Sequence, residues 1–172
     1  MTIKITAPFV DRNVLKELLV GDEVFVSGII YTARDAAHKK IFDDGKAPID
    51  LANQVIYYTG PTPTPAGKII GSCGPTTSSR MDIFTPFMLE KIGISAMIGK
   101  GKRNSDVIQS CIENSVVYFV APGGCGALLA DCVKNMELIA YPELLSEAIY
   151  KLEIKNMPLV VGIDTKGGYI YK

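Results

Sequence analysis

The sequence predicts an α/β protein with a mostly parallel central sheet flanked by helices. Three observations carry that prediction. From Lys68 onward, short continuous apolar segments alternate with helix-compatible ones, the pattern of parallel strands buried on both faces. The junctions between them are rich in Gly, Pro and hydroxyl residues, which punctuate regular structure. The chain has 172 residues, 48% hydrophobic and 21% charged. That is long enough for one well-buried domain and short for two, so residues 1–172 are read as a single domain.

The N-terminal third reads as β-rich. Residues 2–7 make a short strand and 11–19 a short amphipathic helix. Gly21-Asp22 turns the chain into a Val-, Ile- and Phe-rich strand over 23–31. Thr32 and Asp35 have the spacing of a capping box, opening a helix through about Phe42 that Asp43-Asp44-Gly45 ends. A strand at 54–58 leads to residues 60–67, where three prolines and two glycines give a stiff, extended surface loop. Further strands follow at 68–72, 95–98, 116–121 and 137–141, with helices at 81–92, 104–114 and 126–135 between them. A last helix spans 142–152, with Pro142 in its first turn. The tail, 158–172, reads as a hairpin: a strand at 159–163, a Lys166-Gly167-Gly168 turn and a short closing strand.

Composition excludes several function classes. Lys plus Arg (18) balance Asp plus Glu (18), so nothing points to nucleic acid or an acidic membrane surface. The longest apolar runs, such as 116–121, fall far below the roughly 20 residues of a membrane helix. Residues 1–9 carry no sustained apolar run and no signal-peptide pattern. The expectation is a soluble, cytoplasmic protein. The four cysteines, Cys73, Cys111, Cys125 and Cys132, include no C-x-x-C pair. They are read as buried structural thiols, without disulfides and without a zinc-site spacing, while an iron–sulfur site built from distant loops stays open as the alternative. Cys125 and Cys132, two helical turns apart, are placed on one helix face.

The chemistry-bearing residues cluster in loops that follow predicted strands, where ligands bind in open parallel α/β sheets. The strand at 23–31 leads to Arg34-Asp35. The strand at 68–72 leads to Gly74-Pro75-Thr76-Thr77-Ser78-Ser79-Arg80-Met81-Asp82. The strand at 95–98 leads to Gly99-Lys100-Gly101-Lys102-Arg103, and that at 116–121 to Pro122-Gly123-Gly124-Cys125-Gly126. A hydroxyl-rich turn opening a helix offers free N–H groups, and an arginine beside it grips a carboxylate or phosphate with two parallel bonds. Convergence of these loops would make a cationic pocket for a small polyanion. Gly99-Lys100-Gly101 is not a nucleoside-triphosphate P-loop, because Gly101 rather than Ser or Thr follows the lysine and Ser95 occupies the required glycine position. His38, the sole histidine, sits mid-helix among lysines and reads as a helix-surface or capping residue. With no G-x-S-x-G elsewhere, a Ser-His-Asp triad has no support. No paired carboxylates stand out for glycosidase-like chemistry. Cations and hydroxyls without an acid–base pair lead to the expectation of a substrate-binding half-site lacking its own catalytic engine, for which another chain is one source of the other half.

These motifs, Arg34-Asp35-Ala36-Ala37-His38, Thr76-Thr77-Ser78-Ser79-Arg80-Met81-Asp82, Ile98-Gly99-Lys100-Gly101 and Gly123-Gly124-Cys125-Gly126-Ala127, resemble the iron–sulfur-dependent hydro-lyases. That family comprises class I fumarases and L-tartrate dehydratases. The chain is similar to their β subunit, or to the C-terminal domain where both halves are fused, from about Ala7 to Tyr171. The resemblance implies a swivelling β/β/α domain and reversible hydration of a C4 dicarboxylate, fumarate to (S)-malate, with tartrate dehydration as the alternative. It implies a [4Fe-4S] cluster on a partner α subunit, not ligated by this chain, in a hetero-oligomer such as α2β2. It implies that Arg34, Arg80, Lys100 and Thr77 bind the substrate and that Thr76 sits at the carbon that loses or gains the proton. A stand-alone dicarboxylate-binding module without catalysis is the reading from another class.

Overall fold

The computed structural model describes residues 2–171. Its strands are β1 (Ile3–Ala7), β2 (Glu23–Thr32), β3 (Val55–Tyr57), β4 (Ala96–Gly99), β5 (Val117–Val120), β6 (Val133–Ala140) and β7 (Ile149–Ile163). The α-helices are α1 (Asn13–Lys16), α2 (Asp35–Asp44), α3 (Thr85–Phe87), α4 (Ser105–Asn114) and α5 (Gly126–Asp131). All strands join one seven-stranded sheet, ordered β1-β2-β3-β4-β5-β7-β6.

The predicted α/β class is right, and β1 to β5 pair in parallel. The mostly parallel central sheet needs correction. Strand β7 runs antiparallel to β5, β6 and β2, and its second pairing with β2 closes β2-β3-β4-β5-β7 into a five-stranded barrel within a mixed sheet. Its 15 residues reach roughly 50 Å, enough to leave the edge of β5 and run along β2. The β2–β7 ladder shifts register between Val26 and Gly28, whose φ is 104°, and resumes beyond it; a Cβ at Gly28 would overlap the Ala7 carbonyl of β1 on the other edge.

Period-two alternation divides the strands between two cores, and a bulge in β7 between Val161 and Ile163 switches its face there. Val55, Tyr57, Ile98, Phe119 and Val161 face one side with Leu15 of α1 and Leu129 of α5. Ile56, Tyr58, Met97, Tyr118 and Ile163 face the other with Ala37 and Ile41 of α2, Leu89, and Val107 and Cys111 of α4. Asn104 caps α4, its side-chain oxygen accepting from the Val107 N–H at 3.0 Å.

Several sequence expectations fail for identifiable reasons. The capping box at Thr32 does not form: Arg34 is the N-cap of α2, and the Thr32 hydroxyl donates instead to the Ala148 carbonyl at 3.2 Å. The helix predicted over 11–19 shortens to α1. The strand at 68–72 is absent because β3 pairs directly with β4, leaving no ladder slot; Ser72 is tied to the 60–67 loop by its carbonyl, which accepts from the Thr62 N–H. The helix over 81–92 breaks into a 3₁₀ turn (Ser78–Met81), α3 and a π-turn (Met88–Ile92). Pro86 supplies no N–H there, and the Thr85 hydroxyl takes the Met81 carbonyl at 2.9 Å. The helix over 126–135 stops at Asp131, and Cys132 is the residue that caps it.

The helix over 142–152 is the largest miss. A 3₁₀ segment does begin at Pro142, but Leu145 adopts φ 53°, ψ −117° and the chain turns extended at Ala148. Ile149, Leu152 and Ile154 are then buried between β2 and β6. The predicted strand at 159–163 is the end of this same β7, and a bridge between Ile163 and Tyr169 is what forms of the tail hairpin.

Candidate functional site

The carboxyl ends of β2, β3, β4 and β5 deliver the four loops singled out in the sequence. The segment carrying Thr76 to Arg80 is laid alongside the end of β4 as an extra edge. The Thr76 N–H donates to the Tyr58 carbonyl at 2.7 Å and the Ser78 N–H to the Lys100 carbonyl at 2.9 Å. Thr77 and Lys100 form an isolated parallel bridge, so two predicted contact residues become neighbours. Gly99 makes this approach possible, since a Cβ there would overlap Ser78 Oγ and lie 2.8 Å from the Tyr58 ring. The loop is also held from behind. The Thr59 hydroxyl donates to the Gly74 carbonyl at 2.7 Å, and the Cys73 N–H to the Gly126 carbonyl at 3.3 Å.

Asp35 brings the two arginines together. Its Oδ2 lies 3.6 Å from Arg34 Nη2 and its Oδ1 3.8 Å from Arg80 Nε. Both separations exceed hydrogen-bonding distance, so the ion pairs are loose. Glu147 accepts from the Ala36 N–H at 3.3 Å in the first turn of α2, and stands 3.9 Å from Arg34 Nε. That Nε is buried and has no hydrogen-bond partner. Arg80 remains exposed and Lys100 half-buried, and Lys100 forms no salt bridge among the described residues. Thr77 precedes the 3₁₀ turn without capping it through its side chain, which leaves its hydroxyl unused at that turn.

The sequence placed Arg103 among the loop cations, but the structure turns it inward. Its side chain is 0% exposed and its Nε donates to Asp82 Oδ1 at 2.5 Å. Burial opposes the guanidinium charge, yet Tyr58 and Asp82 hold its pKa above the usual arginine value. His38 is likewise not on the surface. It is fully buried, its Nδ1 2.8 Å from the Arg34 carbonyl and its Nε2 without a partner. Burial pulls its pKa down to about 4, so the ring is neutral near pH 7. Asp82, Tyr58 and Tyr118 were not singled out by sequence reasoning as support for the site. The one signal was the placement of Asp82 two residues after Arg80 in the same motif.

The chain's own residues do not fit an iron–sulfur cluster. Among the described residues no group of three or more His, Cys, Asp or Glu comes together. Cys73 and Cys111 lie in opposite cores, and burial pushes both thiols up to about 12, whereas a cluster binds thiolates. All four cysteines are free, Cys125 and Cys132 being half-buried. Among the described residues no helix is long and apolar enough to cross a membrane.

A mixed barrel presenting cations and hydroxyls at the carboxyl ends of its parallel strands offers positive charge and donors to an anionic ligand. The comparisons with known proteins give it a family. The chain belongs to the fumarase C-terminus family, which matches residues 1–172. It is 40% identical over 167 residues to the putative L(+)-tartrate dehydratase subunit beta of Methanocaldococcus jannaschii, covering 92% of this chain and 86% of that subunit. It is 37% identical over 163 residues to the anaerobic class I fumarate hydratase of Escherichia coli, covering 92% of this chain but 30% of that enzyme. With fumarate hydratase 2 of Leishmania major it shares 36% identity over 165 residues, 29% of that protein. The chain thus spans most of the tartrate dehydratase subunit and about a third of the fumarate hydratases; these relatives are hydro-lyases.

Proposed function

We propose that residues 1–172 form a single hydro-lyase β domain, the cationic half of a dicarboxylate site completed by a separate α subunit, and that the assembled enzyme reversibly hydrates fumarate to (S)-malate. The observation that supports this best is the meeting of Arg34 and Arg80 at Asp35 beside the Thr77–Lys100 bridge. An arginine whose buried Nε has no partner gains most from an incoming carboxylate, because an unmet buried donor costs free energy.

In this reading Arg34 and Arg80 hold the substrate carboxylates, and Lys100 and Thr77 bind carboxylate or hydroxyl oxygen. Abstracting the proton next to a carboxylate builds negative charge on it, and fixed cations in a closed cleft stabilise that charge. Thr76 orients the proton-bearing carbon, and the partner supplies the stronger base, since a threonine hydroxyl is a weak one. The [4Fe-4S] cluster is assigned to the partner. The barrel swings as a unit to close over the substrate and exclude bulk water. The assembly is a hetero-oligomer, α2β2 in the simplest case, in the cytoplasm.

Tartrate is the second reading, favoured by the near full-length match to a tartrate dehydratase β subunit. Anaerobic co-expression with the cluster-bearing partner, followed by fumarate-to-malate and tartrate assays with and without that partner, tests both. Activity only in the complex is expected, and the faster substrate identifies the reaction. Association without turnover of either, or no association, would leave a non-catalytic dicarboxylate-binding module.

A further inference from the structure

We propose that the buried Arg103–Asp82 pair is a positioning device that sets the spacing between the Thr76–Arg80 segment and Lys100. The inference rests on the half-site reading above for its catalytic consequence, but its structural claim stands separately. Asp82 follows Arg80 by two residues, and Arg103 follows Lys100 by three. Each end of the pair therefore belongs to one of the two loops that carry the proposed substrate contacts.

The pair sits in a network that leaves little freedom to either loop. Arg103 Nε donates to Asp82 Oδ1 at 2.5 Å, and Nη2 donates to the Thr85 hydroxyl at 2.8 Å and approaches the Tyr58 hydroxyl at 3.4 Å. The guanidinium packs over the rings of Tyr58 and Tyr118, 5.3 Å and 4.9 Å from their centroids. The second oxygen of Asp82 accepts from the Asn104 N–H at 2.9 Å, so one carboxylate bonds both side chain and backbone of the Lys100 loop. The Arg103 backbone is clasped in turn by the Tyr169 hydroxyl, which accepts from its N–H at 2.7 Å and donates to its carbonyl at 3.1 Å.

Tyr118 joins the same two loops from beneath. Its hydroxyl lies 2.9 Å from Ser78 Oγ and 3.0 Å from the Gly101 carbonyl. Donating to Gly101 and accepting from Ser78 satisfies both with one proton each. A buried ion pair is a poor source of net stability, because desolvating two charges consumes most of their attraction. What such a pair does well is fix a relative geometry. Here the geometry is the Ser78 N–H to Lys100 carbonyl bond, which sets Thr77 against Lys100.

The test uses the full chain and its assembly with the cluster-bearing partner. The double variant Arg103→Met/Asp82→Asn removes both charges and leaves no unpaired ion, and Arg103→Lys keeps the charge but loses the fork. In the chain, amide hydrogen exchange at Ser78 should rise about tenfold or more in the double variant, and less in Arg103→Lys. Met97 and Tyr118 in the neighbouring strands should keep their protection. In the assembled enzyme, KM for the dicarboxylate should rise about tenfold with kcat changed less than about threefold. The same double variant on a Lys100→Ala background should cost less than about threefold further, because it acts through Lys100. Unchanged Ser78 protection in both variants, or an equal loss on both backgrounds, would overturn the positioning role. If Ser78 exchange rises while Lys100→Ala leaves turnover intact, the positioning stands and the substrate contact assigned to Lys100 fails.

Discussion

Arg80 and Arg103 stand on adjacent loops and have opposite surroundings. Arg80 is 57% exposed and only loosely paired with Asp35 at 3.8 Å. Arg103 is wholly buried and held at 2.5 Å by Asp82. An exposed, loosely held guanidinium keeps its donors available for a ligand carboxylate. A buried one bonded to Asp82 and Thr85 and packed on Tyr58 and Tyr118 is closed to a ligand. Cationic content alone does not define a candidate site; solvent access decides which cations keep their donors available to a ligand.

The largest effects are expected at the buried arginine. Arg103→Met alone strands the Asp82 carboxylate, and should cost about 3–5 kcal/mol of stability, read as a lower midpoint in urea unfolding. A variant as stable as the parent would mean that Asp82 readily finds another partner. The second buried group tested is His38. Its folded pKa of about 4 lies below the ordinary 6.5, so between those values the unfolded chain binds more protons. Its contribution is complete above about pH 6.5 and falls by about 3 kcal/mol as pH drops to 4. Unfolding at pH 7 and pH 4 should show a shallower acid loss in His38→Gln than in the parent; identical slopes would remove His38 from the account.

At the exposed end, Arg80→Ala should lower kcat/KM of the assembled enzyme about a hundredfold, the worth of a charged hydrogen-bonded contact, with the unfolding midpoint unchanged. Survival of activity within a few-fold would end its role as a carboxylate clamp. Gly99→Ala should cost about 1–3 kcal/mol, because its Cβ meets Ser78 and Tyr58, and calorimetry would detect it. The smallest effect is expected at Lys102, exposed between Lys100 and Arg103. Lys102→Ala should change kcat/KM by less than about threefold, as for a surface charge; a larger loss would show that solvent access does not separate the two kinds of cation.

Much of the parallel half was legible because its signals are local. Short apolar runs gave β2, β3, β4 and β5, and the motifs around Arg34 and Lys100 marked loops that follow strands, whereas the strand expected before the Arg80 motif does not form. The C-terminal third was not legible for a physical reason. Pro142 is a genuine helix-start signal and a 3₁₀ turn does form there, but Ile149, Leu152 and Ile154 find their burial only when β2 and β6 flank them. Tertiary pairing overrides local propensity in such segments.

Residue type and short-range order suffice for the α/β class, the family and the identity of the cations and hydroxyls offered to a ligand. Long-range packing sets the closure of the sheet into a barrel, the burial of His38, and the inward turn of Arg103 while Arg80 faces out. Each of those outcomes depends on which distant segments bury which side of a residue, and burial is a property of the packed chain.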